Sequence, residues 1–271
     1  MLRSILFAAM LAVAPPIQAG QPLVIYKGEA NEMPRQPQAC VTAAGITHLT
    51  FGLDNRVLYC NNDGEEFNLP KVAVQVPNLS LGMRRGPRIT ETGRSIVITA
   101  IGGRDGKGKD GDVLAYHSDD KGTTWNGPVR VNDVESSARE GLHAMTATQN
   151  GVLWCVWLDM LTTNPLGQVS TVWRRGGTIY STDQRRDTES VLGNGEQPWI
   201  ASNSQGTTIV WTTARQGDLL LARLDSREPE MIAVDARDPV LVAGESSNPV
   251  QYVFWEQFHN NQAAIMGLSI R

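Results

Sequence analysis

Only a few stretches of this 271-residue chain gather side chains able to move a proton or grip an anion. The densest is Ala138-Arg139-Glu140-Gly141-Leu142-His143, which sets a carboxylate and an imidazole close together beside a guanidinium. Such a pair suits general acid–base chemistry, in which surroundings tune each group toward the working pH. A salt bridge at the start of a strand accounts for the same residues equally well. Asp105 and Asp112 flank the glycine-rich stretch 102–111, a place for an acid/base carboxylate or for a solvated turn. Glu196, in Gly195-Glu196-Gln197-Pro198-Trp199, reads as an inner-strand carboxylate or as a turn acceptor.

Other chemistries lack their residues. No Ser-His-Asp order, P-loop or dinucleotide fingerprint is present, and no Lys-Ser/Thr follows the glycines at 102, 103, 106, 108 and 111 at the right spacing. His48, His117, His143 and His259 are scattered, and there is no CxxC pair, so neither a metal nor another cofactor is expected.

The scaffold that must position these groups is legible in composition and pattern. Hydrophobic residues at 41% and charged residues at 19% exclude a disordered chain. The 26 glycines and 14 prolines have no triplet period, which excludes collagen. A net charge of −4 without a basic stripe argues against nucleic acid and against a polybasic membrane surface. Residues 1–19 read as an export signal: Arg3, an apolar run Ile5–Ala14, a Pro15-Pro16 break and Ala19 at the cut. That run is too short to span a bilayer, so a periplasmic or secreted protein is expected, with 20–271 as one domain and a monomer. Cys155, inside Val152–Leu158, reads as a buried inert thiol. Cys40 and Cys60 pair only if their strands bring them within about 7 Å, which is left open.

Beyond the leader, short β-rich runs alternate with Gly, Asn, Asp and Pro. Ile96-Val97-Ile98 is apolar on both faces, the mark of a strand packed on two sides. Turns such as Thr148-Gln149-Asn150-Gly151 and Asn203-Ser204-Gln205-Gly206 each lead into an apolar strand with an aromatic near its end. The repeat spans roughly 40–50 residues, the period of a four-stranded propeller blade. Blades are expected at about 38–76, 85–131, 141–192, 196–234 and 237–271. The fold class is therefore all-β, a β-propeller of four-stranded antiparallel blades, five or six in number, with a β-sandwich as the alternative. The orphan run Leu23–Tyr26 is expected to pair into the last blade and close the ring.

Ser118-Asp119-Asp120-Lys121-Gly122-Thr123-Thr124-Trp125 matches the Asp-box pattern S-x-D-x-G-x-T-W throughout. Asp120 is suited to accept amides of its own turn, Gly122 to take a positive φ, Ser118 and Thr124 to bond across it, and Trp125 to plug an apolar gap. Full burial of that indole predicts a loss of roughly 3–5 kcal/mol on Trp125→Ala. Weaker traces lie at Cys60–Phe67 and Ser181–Arg185.

On this box, and on Arg85-Gly86-Pro87-Arg88-Ile89, Gly111–Ala115, Ala138–His143, Val172-Trp173-Arg174-Arg175 and Gly195–Trp199, the chain resembles the sialidase superfamily, in particular bacterial BNR/Asp-box proteins. The likeness is best over about 82–160, and the chain is short across Met160–Gly167, where longer relatives carry further blades. The resemblance implies a secreted exo-α-sialidase-type glycosidase acting on a terminal acidic sugar. Arginines would grip the substrate carboxylate bidentately, with Arg85, Arg88, Arg104 and Arg174 as candidates. Asp112, Glu140 and His143 would handle protons, and Glu196 would contact substrate. Arg88-Ile89-Thr90 stands where the family reads Arg-Ile-Pro, no third arginine motif follows, and Tyr26, Tyr59, Tyr116, Tyr180 and Tyr252 lack the context of the family's nucleophile. The alternative is a non-catalytic propeller that binds a glycan or a protein. Trp154, Trp157, Trp173, Trp211 and Trp255 read as inter-blade core.

Overall fold

The computed structural model describes residues 23–62, 66–82, 84–160, 168–174, 190–224, 228–244, 251–259 and 262–270. The export signal at 1–19, Asp63–Glu65 of the second Asp box, the Ser181–Arg185 trace, Arg175, Tyr180 and the short connection at 161–167 lie outside the described residues. Every regular element among the described residues is a β-strand, and all pairing is antiparallel between chain neighbours.

The first blade is β1 (Arg35–Val41), β2 (Thr47–Leu53), β3 (Arg56–Asn62) and β4 (Lys71–Gln75). The second is β5 (Arg88–Glu91), β6 (Ile96–Gly102), β7 (Asp112–Ser118) and β8 (Asn126–Arg130). The third is β9 (His143–Ala147), β10 (Leu153–Asp159), β11 (Gln168–Arg174) and β12 (Ser190–Asn194). A six-stranded sheet follows: β13 (Glu196–Asn203), β14 (Gly206–Thr212), β15 (Gly217–Arg223), β16 (Glu230–Ala243), β17 (Gln251–His259) and β18 (Gln262–Ile270).

That sheet holds two blades joined by one strand. The first half of β16 pairs with β15 and the second half with β17, with a register break between Arg237 and Val240. Asp235 and Asp238 sit at φ 51° and 50° around the bend, a conformation that Asp tolerates better than most residues. The units match the five expected, and the last has three strands among the described residues, with the tail of β16 as its innermost.

Alternation explains how the blades stack. On β6, Ile96, Ile98 and Ala100 meet Val57, Tyr59, Val74 and Val76 of the first blade. The intervening Val97 and Ile101 meet Leu153, Cys155 and Trp157 of the third. Val156 then packs with Ile200, Ile209 and Trp211, and Val210 with Leu241, Val253 and Trp255. A central strand is thus apolar on both faces because a blade covers each face. Trp157, Trp211 and Trp255 are inter-blade core, as their runs imply.

Two expectations need correction, for Leu23–Tyr26 and for Trp125, and the open question of the Cys40–Cys60 pair is answered. Leu23–Tyr26 is not a strand and does not join the last blade. Tyr26 lies instead against Phe51 of the first blade, its hydroxyl donating to Glu32, which Arg56 holds at 2.8 Å. That ion pair anchors the segment over the free face of the first blade. Cys40 and Cys60 are both free thiols. Cys40 is opposite His48 and Cys60 opposite Leu49 on the intervening β2, so the two thiols point to opposite faces of the sheet. Trp125 is half-buried, not sealed, with its ring edge-on to Tyr59 at 5.3 Å.

The Asp box itself forms the turn between β7 and β8. Asp120 accepts from the amides of Thr123 and Thr124 and from the hydroxyls of Thr124 and Ser118. These donors, the Thr124 hydroxyl foremost, pull its carboxyl down to about 2. Gly122 takes φ +85° as its amide donates to Ser118 Oγ.

Candidate functional site

The first strands of successive blades run side by side as β1, β5, β9, β13 and the end of β16. Their starts gather one set of polar side chains at one end of the ring. Arg84 and Arg85 precede β5, Arg88 opens it, Glu140 precedes β9, His143 opens it, and Gln197 and Asp238 stand at the corresponding places of β13 and β16.

Arg84 Nη1 donates to Asp238 Oδ1 at 3.1 Å, tying the second blade's entry to the last blade. Gln197 supports the same carboxylate, donating from Nε2 to Asp238 Oδ1 and accepting the Asp238 amide on Oε1. The guanidiniums of Arg84 and Arg88 lie 5.3 and 5.5 Å from the centroid of the Trp199 ring, within cation–π range. Trp199 is fixed by its indole N–H donating to the Leu241 carbonyl.

Arg88 is only 6% exposed, and its donors go to the carbonyls of His143, Arg84, Pro87 and Gly86. Burial, and then the Arg84 cation, lower it to about 10. Arg88 therefore serves the backbone and has no donor directed at a substrate carboxylate. His143 is buried beneath it, with Nε2 3.1 Å from Thr99 Oγ1. Burial and the Arg88 cation push its imidazole down to about 3, so it is neutral and sealed at ordinary pH.

Arg85 differs from its neighbours. Its Nε donates to the Glu140 carbonyl and its Nη2 meets Glu140 Oε2 at 3.5 Å, with 32% of the side chain exposed. The Glu140 side chain is 40% exposed and that of Asp238 37%. These three charges reach solvent, as does Arg237, whose Nε lies 4.0 Å from Asp238 Oδ2 and 2.7 Å from Glu256 Oε2. The crevice among Arg84, Arg88, His143, Gln197 and Trp199 encloses about 160 Å³ of empty space, with no room for a water-sized sphere.

The remaining sequence candidates fall elsewhere. Asp112 is at the same end of the ring but accepts from Asn132 Nδ2 and the Ser136 amide, shaping the link to the third blade. Arg104 is 88% exposed on the glycine loop and pairs with adjacent Asp105 at 3.5 Å. Arg174 pairs in register with Leu153, at the end of β11 away from the level of His143 and Trp157. Glu196 opens β13, where its carbonyl accepts the Thr212 hydroxyl. Asp110, not Asp105, organises the glycine loop, and the amides of Asp105, Gly106 and Arg104 lower its carboxyl. Sequence reasoning missed Arg84, Gln197, Trp199 and Asp238 as members of the centre. Reading the residues at the mouth of every inner strand, not only those in familiar motifs, finds all four.

No known protein family matches the chain, and no characterised protein matches it by sequence. Solved structures do match its fold. An α-L-arabinanase of Penicillium chrysogenum, solved with arabinobiose, superposes with a TM-score of 0.58 at 13% identity over 86% of this chain and 76% of that one. An endo-arabinase of Bacteroides thetaiotaomicron gives 0.52 at 11% identity over 88% and 94%. A Bacteroides ovatus protein described as Xyloglucan PUL GH43B gives 0.52 at 12% identity over 89% of this chain, which spans 53% of its length. These are β-propellers, and at such identities the likeness is one of fold. These matched folds bear GH43 and arabinanase names, and none of the three is named a sialidase, the class expected from the sequence motifs. Among the described residues, no cluster of His, Cys, Asp and Glu is placed to hold a metal, and no helix is long and apolar enough to cross a membrane.

Proposed function

We propose that this chain is an exported propeller glycosidase that works at the ring centre, with Glu140 and Asp238 as its two carboxyl groups. The supporting observation is their placement: both reach solvent at the mouths of inner strands, and each is held by one of two consecutive arginines. Asp238 receives Arg84 and Gln197 and is built as an acceptor, which suits activation of a water. Glu140 would protonate the leaving oxygen as the glycosidic C–O bond breaks, and the activated water would add to the anomeric carbon.

The finer part of the proposal is a terminal carboxylated sugar. Arg85 has the most loosely held guanidinium of the centre, and a substrate carboxylate can replace Glu140 on it bidentately, freeing Glu140 for proton transfer. The test is hydrolysis of fluorogenic arabinosides, xylosides, galactosides, glucuronides and sialosides. Turnover confined to the acidic sugars, lost in Glu140→Gln and Asp238→Asn and raised in KM by Arg85→Ala, is expected. Turnover of neutral sugars alone would refute the carboxylate reading, and turnover of none the glycosidase reading.

A second reading, a glycan-binding propeller without turnover, is favoured by the closed crevice and by the complete engagement of Arg88. Binding of acidic glycans with no product in the same panel would select it.

A further inference from the structure

The end of the ring opposite the central crevice has its own concavity. A cleft of about 460 Å³ lies between the third and fourth blades, lined by Gln149, Asn150, Trp154, Asn203, Ser204 and their neighbours. It follows the end of β9 at Ala147, whereas the crevice lies at the start of that strand. Two of the recurring turns, 148–151 and 203–206, form its walls.

Both turns are fixed before any ligand arrives. The Gly151 amide donates to the Thr148 carbonyl at 2.9 Å and the Val152 amide to Thr148 Oγ1 at 3.1 Å. Across the cleft, Asn203 Oδ1 accepts the Gln205 amide at 3.0 Å and Gln251 Nε2 at 3.3 Å, while Gln251 also donates to the Gly206 carbonyl. A preformed site spares the ordering cost that binding otherwise carries.

Its chemistry is selective. Every lining residue is uncharged, so an ionic ligand meets no counter-charge. Carboxamides and hydroxyls share the lining about evenly with apolar surface from Val152 and Trp154, so a ligand that is polar at its edge and apolar on its face matches it better than a wholly apolar one. Sugar hydroxyls both donate and accept, as carboxamides do, and the C–H face of a pyranose or furanose ring packs on an indole such as half-buried Trp154. The volume falls within the range of small-ligand sites. We propose that this cleft is a binding site for neutral oligosaccharides, separate from the central crevice. The inference stands whether or not the centre turns over substrate.

Calorimetric titration of the full chain with xylotriose, arabinotriose and cellotriose tests it. Millimolar or tighter binding of at least one is expected. Gln149→Ala with Asn150→Ala, both exposed positions, should weaken it roughly tenfold or more while the far-UV circular dichroism stays that of wild type. Trp154→Ala should abolish it, and Arg85→Ala should leave it intact. No binding by any of the three, binding indifferent to the paired alanine substitution, or binding lost in Arg85→Ala would overturn the proposal. Loss in Arg85→Ala would assign the sugar to the centre instead.

Discussion

Acidification from pH 7 to pH 5 probes the layer beneath the central arginines. His143 is held neutral by burial and by Arg88, with its pKa near 3 in the fold against an ordinary value near 6.5. The unfolded chain therefore takes up a proton that the fold refuses, and stability falls as pH drops through about 6.5 and keeps falling toward about 3. A gap of that size is worth at most about 5 kcal/mol in full, of which about 2 kcal/mol is lost by pH 5. His48, also lowered by burial, slopes the same way, so wild type alone does not isolate His143. The comparison is with His143→Gln, which carries no titrating group there. Urea unfolding of both proteins at each pH should show the variant less stable at pH 7 by about 1–3 kcal/mol, through the disturbed Thr99 contact. By pH 5 that difference should shrink by about 2 kcal/mol. A difference constant with pH would refute the reasoning, because it would mean that the imidazole accepts its proton in the folded state.

Three further outcomes follow from packing and burial. Trp125→Ala should cost about 2–3 kcal/mol, below the figure for a sealed indole, read as a shift in the urea midpoint at unchanged slope. Gly122→Ala should cost about 3 kcal/mol, since a Cβ there falls 2.1 Å from the Tyr59 ring on a backbone at φ +85°; a melting temperature equal to wild type would contradict the placement of that turn. Burial raises the thiols of Cys40, Cys60 and Cys155 to about 12, 11 and 12, so a thiol reagent at pH 8 should react slowly with the native protein. All three should titrate at once in denaturant, and rapid native labelling of Cys155 would show that its blade interface opens.

The blades were legible because their signal is local. An apolar run bounded by Gly, Asn or Asp marks a strand, and doubly apolar runs such as Ile96-Val97-Ile98 mark the ones enclosed between blades. The Asp box was readable for the same reason, since its bonds close within seven residues of sequence, from Ser118 to Thr124. The ends of the ring were not, because Leu23–Tyr26 has strand composition but is claimed by Phe51 and by the Glu32–Arg56 pair. Nor does any local pattern announce that β16 continues through its bend. At the centre, Arg85, Glu140 and His143 stood out by type, but their states depend on neighbours distant in sequence. Arg84 and Asp238, 154 residues apart, had no motif to join them.

The shared strand β16 has a mechanical consequence. With one continuous backbone serving the fourth and fifth blades, the two move as one plate, and no connecting loop exists there to grow or shrink. Opening the crevice to admit any guest must therefore come from the opposite side of the axle, where Arg84 latches onto that plate through Asp238.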